Sequence, residues 1–461
     1  MSERQSYGCM VEDIQTFDKE GHAGQMVCAG DPLTISFLVR ITEDIFFDPI
    51  FRLSLVSLED TKLRYTRSMG EDGWDISWLP RGTYPVEWQT PRLSLPPGEY
   101  RVDIEVAIVP NGQYQRLFSV EASTPLEVRG AGRGESAEIS GVWRLSGVEG
   151  LSWRKGRDNW FFKHFEHAAR VILYYMLDDS PLLKGKILDV GCGEGITDLG
   201  VFLRKRPELL VGIDLEGNFR ELPRMMRENG LSLDALPENL IFRQLDANRI
   251  PYPNDYFDVV LSWASLEHLA GGHWQTLQEI KRVLKDGGLF FVHPGLYYAN
   301  FGHHLGEFTS EPFVHLQKTP EELKQLVFAA QPNYMDRGGL TYAPADFWRY
   351  YSELNKITVS SIEHELRALN FEFKKVAVRT EDLVTYTPEL QKYPLQDLTT
   401  LELYMTVINR KKKTVHEEAG RFAEASQGTK QAEVFNAADG RPRLRRFLSQ
   451  MWKSALSWAK G

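Results

Sequence analysis

The stretch Ile187-Leu-Asp-Val-Gly-Cys-Gly-Glu-Gly195 constrains this chain more than any other. An apolar run ends in glycines at 191, 193 and 195, and helix-like spacing resumes at Ile196. This pattern predicts a strand that turns sharply into a helix. Glycine suits such a turn because it tolerates left-handed backbone and lets a ligand come close to the main chain. The next apolar run, LLVGIDL, carries Asp214, 23 residues after Gly191. That is near the separation at which a strand-end acid accepts ribose hydroxyls. A dinucleotide loop, G-x-G-x-x-G, would need glycine at 196, where this chain has Ile196; the spacing here is G-x-G-x-G. Further runs follow: LIFRQLD, FDVVLSW, a helix near 275–284, and GLFFVHP. Before the glycine loop, Phe161, Phe162, Phe165, Ala168, Ala169 and Ile172 fall at helical spacing. Short apolar strands alternating with amphipathic helices predict an α/β fold with a parallel, doubly wound sheet. Ser360-x-x-Glu363 reads as a capping box opening a helix over 362–369, and FEFKKVAV and LELYMTVI close the sheet edge.

Residues 1–129 follow a different period. Tyr100, Val102, Ile104, Val106 and Ile108 alternate with polar residues, as do Ile35, Phe37, Val39 and Ile41, and Phe51, Leu53 and Leu55. A period of two gives strands with one buried and one wet face. Turn signals at 30–32, 96–98 and 110–112 separate the runs, which predicts an all-β sandwich. We divide the chain into this sandwich, a linker over 130–152 opening on GAGRG, an α/β domain over 153–412, a polar linker over 413–440 and a terminal helix over 441–461. That last stretch carries six basic and no acidic side chains. Its apolar residues, Trp452 and Trp458 among them, recur at helical spacing. A basic amphipathic helix of this kind suits a membrane interface, or docking on a protein partner or on the chain's own body.

With 42 % hydrophobic and 25 % charged residues, the chain has enough apolar material for ordinary cores. Its 54 basic against 63 acidic residues give a net charge of −9, which argues against nucleic acid as a partner. Three cysteines, Cys9, Cys28 and Cys192, form neither a disulfide framework nor a metal-ligand spacing. The N-terminal residues lack the apolar core of a secretory signal. These features predict a cytoplasmic protein, peripheral on the inner face of the cytoplasmic membrane through its last helix.

Four elements together resemble the class I S-adenosylmethionine-dependent methyltransferases: DVGCGEG, Asp214, the QLDANRIPYPNDYFDVV segment with Asp246, and SWASLEHL followed by EIKRVLKDGGLF. The resemblance implies a Rossmann-like sheet, mostly parallel with an antiparallel last strand, and S-adenosylmethionine as cofactor. It also implies that Asp189, Gly191, Gly193 and Gly195 line the methionine portion. Asp214 would bind the ribose, and Asp246 with Ala247 the adenine edge. Residues 7–145 resemble the carbohydrate-binding C-terminal domain of Wzt-type O-antigen transporter ATPases, through GHAGQMVCAGDPLTISFLV, SLPPGEYRVDIEVAI and FSVEASTPLEVRG. The aromatic residues Trp74, Trp78, Tyr84 and Trp88 are then expected to form platforms for sugar rings. The segment FGHHLGEFTSEPFVHL resembles stretches of methyltransferases from polysaccharide gene clusters, with Phe313 where those have tryptophan.

A hydroxyl acceptor needs a base, and His268, His303 and His304 are the catalytic candidates; His293 lies just past a strand. No metal is expected. The sequence thus predicts an O-methyltransferase acting on a sugar hydroxyl of a surface polysaccharide such as O-antigen, capping the chain. Its partners would be polysaccharide or lipid-linked glycan, the membrane surface and other glycan-assembly enzymes. Alternatives are a lipid or quinone acceptor, or a non-catalytic subunit that recruits glycan to a transporter or synthase.

Overall fold

The computed structural model describes residues 9–47, 49–60, 64–69, 76–108, 118–130, 140–151, 159–231, 233 and 235–411. The chain divides into two compact units, one of residues 1–156 with 223–236 and one of 157–222 with 237–461. The terminal stretch 441–461 lies outside the described residues, and so does Trp74.

The first unit contains two sheets. One has the order β1-β3-β6-β9: Cys9–Phe17, Leu33–Phe47, Trp78–Thr90 and Val142–Leu145. The other has the order β2-β8-β7-β4-β5: Met26–Cys28, Phe118–Arg129, Gly98–Ile108, Pro49–Ser57 and Arg64–Ser68. All pairings are antiparallel except β2 with β8. Ile35, Phe37 and Val39 of β3 and Leu53, Val102 and Ile104 of β4 and β7 are fully buried. Alternating faces on two sheets reach such burial by packing on one another, as a sandwich. The expected linker over 130–152 holds a strand instead of running free. β9 pairs with β6, Trp143 opposite Trp88, because Trp143 and Leu145 alternate with exposed neighbours and complete the buried face.

The second unit is built on seven strands in the order β12-β11-β10-β13-β14-β16-β15. These are Leu240–Gln244, Leu209–Asp214, Lys186–Val190, Phe257–Trp263, Leu284–His293, Thr400–Asn409 and Phe371–Thr380. Strands β10 to β14 run parallel, and β16 is antiparallel to both β14 and β15. Ile187, Leu188, Val190, Val259 and Val260 are fully buried, as strands covered on both faces require. The chain turns from β10 outward in one direction to β11 and β12, then returns to β13 on the other side. Ligands of open α/β sheets bind outside the carboxyl ends of strands at such a switch point. The helical stretch from 160 to 176 buries Phe161, Phe165, Ala169 and Ile172 as their spacing predicts.

The helix Val359–Ala368 starts three residues earlier than expected. Thr358, not Ser360, caps it: Ser361 N donates to Thr358 Oγ1 at 2.9 Å and Thr358 N donates to Ser361 Oγ at 3.0 Å. Between β14 and β16, the segment from 301 onward forms its own apolar cluster. Leu305, Phe308, Val314, Leu323, Val327 and Phe347 pack together, with the helix Pro320–Ala329 and the helix Pro344–Glu353 supplying the last three.

Candidate functional site

The loop after β10 opens the helix Ile196–Lys205 with three glycines in left-handed conformation, at φ +80°, +53° and +74° for Gly191, Gly193 and Gly195. Two of them face protein: a Cβ on Gly191 would lie 2.2 Å from Ser265 Cβ, and one on Gly195 would lie 2.5 Å from the Phe242 ring. A Cβ on Gly193 would meet nothing within 4 Å. Gly193 therefore borders open space, while its neighbours close the loop against β12 and the segment after β13. Asp214 at the end of β11 holds the loop from the other side. Its Oδ2 accepts from Gly193 N at 3.1 Å and its Oδ1 from Glu216 N at 2.8 Å. Asp246 follows β12, is exposed, and accepts from Asn248 N at 2.9 Å in a local turn; Ala247 beside it is buried. The glycine loop, Asp214 and Asp246 thus stand at the carboxyl ends of three adjacent strands.

Asp189 and Asp198 lie buried beneath the loop. Burial raises both carboxyls well above the usual carboxylate range, and neighbouring negative charge, from Asp214 for Asp189 and from Asp189 for Asp198, adds to it. Asp189 Oδ1 has no hydrogen-bond partner among the described residues. A buried orphan acceptor below a glycine cradle fits a ligand that carries a cationic group there. Cys192 is buried in the same loop and its thiol is raised by burial, so it is a packing residue.

The far wall comes from the segment over 337–350. Asn218 Nδ2 donates to Tyr342 OH at 3.1 Å, and Tyr350 OH donates to Glu216 Oε1 at 2.6 Å. Burial raises the Glu194 carboxyl and the Tyr342 and Tyr350 phenols. Sequence reasoning missed these residues. Tyr350 and Glu216 lie 134 positions apart and no local pattern links them.

The histidines separate into two groups. His268 and His304 come together, ring centroids 4.8 Å apart, and His268 also sits 6.3 Å from the Tyr350 ring. His304 holds left-handed backbone at φ +55°, and burial, then the nearby His268, depresses its imidazole well below the usual range. A neutral imidazole keeps a lone pair for a proton. His303 is a correction. It is fully buried, and its Nδ1 accepts from Leu305 N at 2.9 Å. With that lone pair occupied and Nε2 protonated, neutral His303 cannot serve as a base. His293 bonds to Leu403 O at 2.9 Å and stacks on Tyr404, which makes it a packing residue.

The expected sugar platforms are also corrected. Trp78 and Trp88 are fully buried and Tyr84 nearly so, its hydroxyl donating to Pro80 O at 2.8 Å. Trp88 is covered by Gly141, where a Cβ would come within 2.3 Å of the indole. Such rings cannot offer a face to a sugar. They alternate with exposed Thr83 and Pro85 and half-buried Glu87 and share parity with buried Val86, a signal that was present in the sequence.

Residues 188–292 match the family model of a methyltransferase domain, and residues 2–132 match that of the Wzt C-terminal domain. The 27-O-demethylrifamycin SV methyltransferase of Amycolatopsis mediterranei (strain S699) is 31 % identical over 23 % of this chain and 38 % of its own length. The ubiquinone biosynthesis O-methyltransferase of Ruegeria sp. (strain TM1040) is 29 % identical over 37 % of this chain and 69 % of its own. The fatty-acid O-methyltransferase of Mycolicibacterium smegmatis (strain ATCC 700084 / mc(2)155) is 34 % identical over 26 % and 40 %. The chain therefore spans well under half the length of two of these three relatives. Among solved structures, the [4+2]-cyclase SpnF is 18 % identical with a TM-score of 0.33, covering 56 % of this chain and 84 % of that one. Geranyl diphosphate methyltransferase, solved with GPP and sinefungin, is 14 % identical with a TM-score of 0.33, covering 53 % and 78 %. The glycine loop, Asp214 and Asp246 thus lie within the residues that match a methyltransferase domain, which this chain joins to residues that match a Wzt C-terminal domain.

Proposed function

We propose that this protein is an S-adenosylmethionine-dependent O-methyltransferase acting on a sugar hydroxyl of a surface glycan of the O-antigen type. The observation that carries the acceptor class is covalent: one chain joins the methyltransferase domain to a Wzt C-terminal domain. Several relatives bear names of O-methyltransferases, which supports oxygen as the accepting atom.

The cofactor, when bound, supplies a methyl group on an already activated sulfonium. The loop residues Gly191, Gly193 and Gly195 would hold its methionine portion above buried Asp189. Asp214 would receive the ribose, and Asp246 with Ala247 would meet the adenine. Tyr342 and Tyr350, bonded to Asn218 and Glu216, would help to exclude water from the cofactor side. The acceptor hydroxyl would meet the His268–His304 pair, where an imidazole nitrogen would take the hydroxyl proton. The chain's main task is alignment, because the donor needs no further activation.

The sandwich would retain the glycan, on residues other than Trp78 and Trp88. The basic stretch over 441–461 would lie on the membrane and meet lipid-linked glycan, and removing it should shift the protein from the membrane fraction to the soluble one. Among the described residues no helix is long and apolar enough to cross a membrane.

The test is transfer of radiolabelled methyl from S-adenosylmethionine into extract fractions separated as polysaccharide, lipid and small molecules. Label in polysaccharide supports the glycan reading. Relatives named for quinone and fatty-acid substrates favour a second reading, a lipid acceptor, and label confined to lipid would replace the first by it. Cofactor binding without any transfer would favour a recruiting subunit.

A further inference from the structure

We infer that Glu267, His268 and His304 form a binding site for one divalent transition-metal ion of the zinc and cobalt class. One donor atom from each residue lies within 4.8 Å of the other two. Two imidazoles and one carboxylate are a donor set suited to such ions, and three protein ligands leave positions open for another oxygen.

Three observations point to a ligand rather than to packing. Glu267 is buried to 1 % exposure; its Oε2 accepts from Gly295 N at 2.9 Å, while its Oε1 has no partner among the described residues. Leaving a buried carboxylate oxygen without a partner is costly, and a cation between it and the imidazoles removes that cost. The second observation is the graded exposure of the cluster, with Glu267 at the floor, His304 intermediate and His268 at the exposed rim. An ion could enter past His268 without opening the fold. Third, the backbone around the cluster is fixed. Asn355 Nδ2 donates to Leu266 O at 2.8 Å and to Leu269 O at 3.0 Å, and Asn355 N donates to Glu267 O at 2.7 Å. His304 is held at positive φ, an uncommon conformation for a residue with a side chain, and this turn brings its ring to His268.

The cluster follows Ser265, which packs on Gly191, so it stands beside the glycine loop. What the ion would do there rests on the proposed hydroxyl methylation: ligation would occupy the lone pairs of His268 and His304, so the ion, in place of an imidazole base, would acidify an acceptor hydroxyl reaching its open positions. The ion-binding site itself does not depend on that reading.

The full chain, freed of metal by chelation, is titrated with Co²⁺ and followed by its visible absorption bands and by calorimetry. Binding of S-adenosylhomocysteine is measured on the same samples. The site predicts one equivalent of Co²⁺, displaced by Zn²⁺, with affinity lowered more than about 100-fold in His304→Ala and in His268→Ala. His268 is exposed, so its alanine variant should fold, and both variants should keep S-adenosylhomocysteine binding. His22→Ala, in the exposed Asp18–Glu20–His22 group, should bind Co²⁺ at Glu267 as the wild type does. Wild-type protein that takes up no stoichiometric Co²⁺, or His268→Ala and His304→Ala proteins that bind it unchanged, overturn the site. Loss of S-adenosylhomocysteine binding in the wild type would instead remove the methyltransferase reading and leave the metal result to stand by itself.

Discussion

Alanine at Gly193 separates what the glycine loop does for the fold from what it does for a ligand. Gly193 has φ +53°, and a Cβ there meets no atom within 4 Å. The fold then loses only the left-handed strain of a residue with a side chain, about 1–2 kcal/mol. For a unit of this size that lowers the melting temperature by roughly 2–8 °C. Gly191 behaves differently. Its φ is +80°, and its Cβ would lie 2.2 Å from Ser265 Cβ. Ser265 cannot withdraw, because Oγ donates to Val190 O at 2.7 Å and bonds to Ser262 Oγ at 2.7 Å. Overpacking of that kind adds about 1–3 kcal/mol, so Gly191→Ala should cost about 2–5 kcal/mol in all. Ligand binding should not follow stability. The Gly193→Ala methyl points into the open space that the cofactor would fill, so affinity for S-adenosylhomocysteine should fall at least about tenfold, or ~1.4 kcal/mol. Scanning calorimetry and isothermal titration on the full chain read the two effects separately. The reasoning fails if Gly193→Ala binds like the wild type, or if it melts below Gly191→Ala.

Other predictions follow from the same geometry. Asp214→Ala removes the acceptor of Gly193 N and Glu216 N, and should weaken S-adenosylhomocysteine at least about tenfold by titration; unchanged affinity would sink the cofactor assignment. Trp88→Ala empties a fully buried indole site and should cost about 3–5 kcal/mol, seen as loss of a sandwich melting transition; a stable variant that merely loses glycan would refute the core assignment. Burial lowers His303 to about 3, and His164 and His315 to about 4. Each is depressed in the folded chain, so its stability is present above about pH 6.5 and is lost as pH falls toward the folded value. Urea titrations between pH 6 and 5 should show a fall of up to about 4 kcal/mol per pH unit from these groups together. His303→Asn, which keeps an acceptor for Leu305 N, should reduce that slope by about one proton; an unchanged slope contradicts the assignment.

The central sheet was readable because burial on both faces leaves a plain trace in sequence. Val259, Val260 and Leu261 are all buried, so FDVVLSW stands out as a continuous apolar run. The sandwich was readable for the opposite reason, a strict alternation along β3 and β7. Strand β9 escaped because four residues carry only two buried positions, and Gly141 before it reads as linker although it is the residue that lets Trp88 pack. The cap of Val359–Ala368 was misplaced because Thr358, Ser360 and Ser361 offer competing polar frames over the same buried Ile362 and Leu366. Only the hydrogen bonds choose between them.

The site divides along the same line. Glycine conformation and a strand-end acid are properties of a few neighbouring residues, so Gly191, Gly193, Gly195 and Asp214 could be found from spacing alone. Histidine function is not such a property. His303 and His304 are adjacent in sequence and equally suited to chemistry by residue type. What separates them is one lone pair: Leu305 N occupies Nδ1 of His303, whereas the positive φ of His304 swings its ring to His268, 36 residues earlier in the chain. The same reasoning retires His293, whose ring is bonded to Leu403 O. It brings Glu267 forward, because that residue contributes a buried oxygen with nothing to accept. A base or a metal ligand is defined by an unoccupied lone pair that faces a reachable space. In this protein the tertiary fold decides that condition, and it selects Glu267, His268 and His304 from among neighbours of the same residue types.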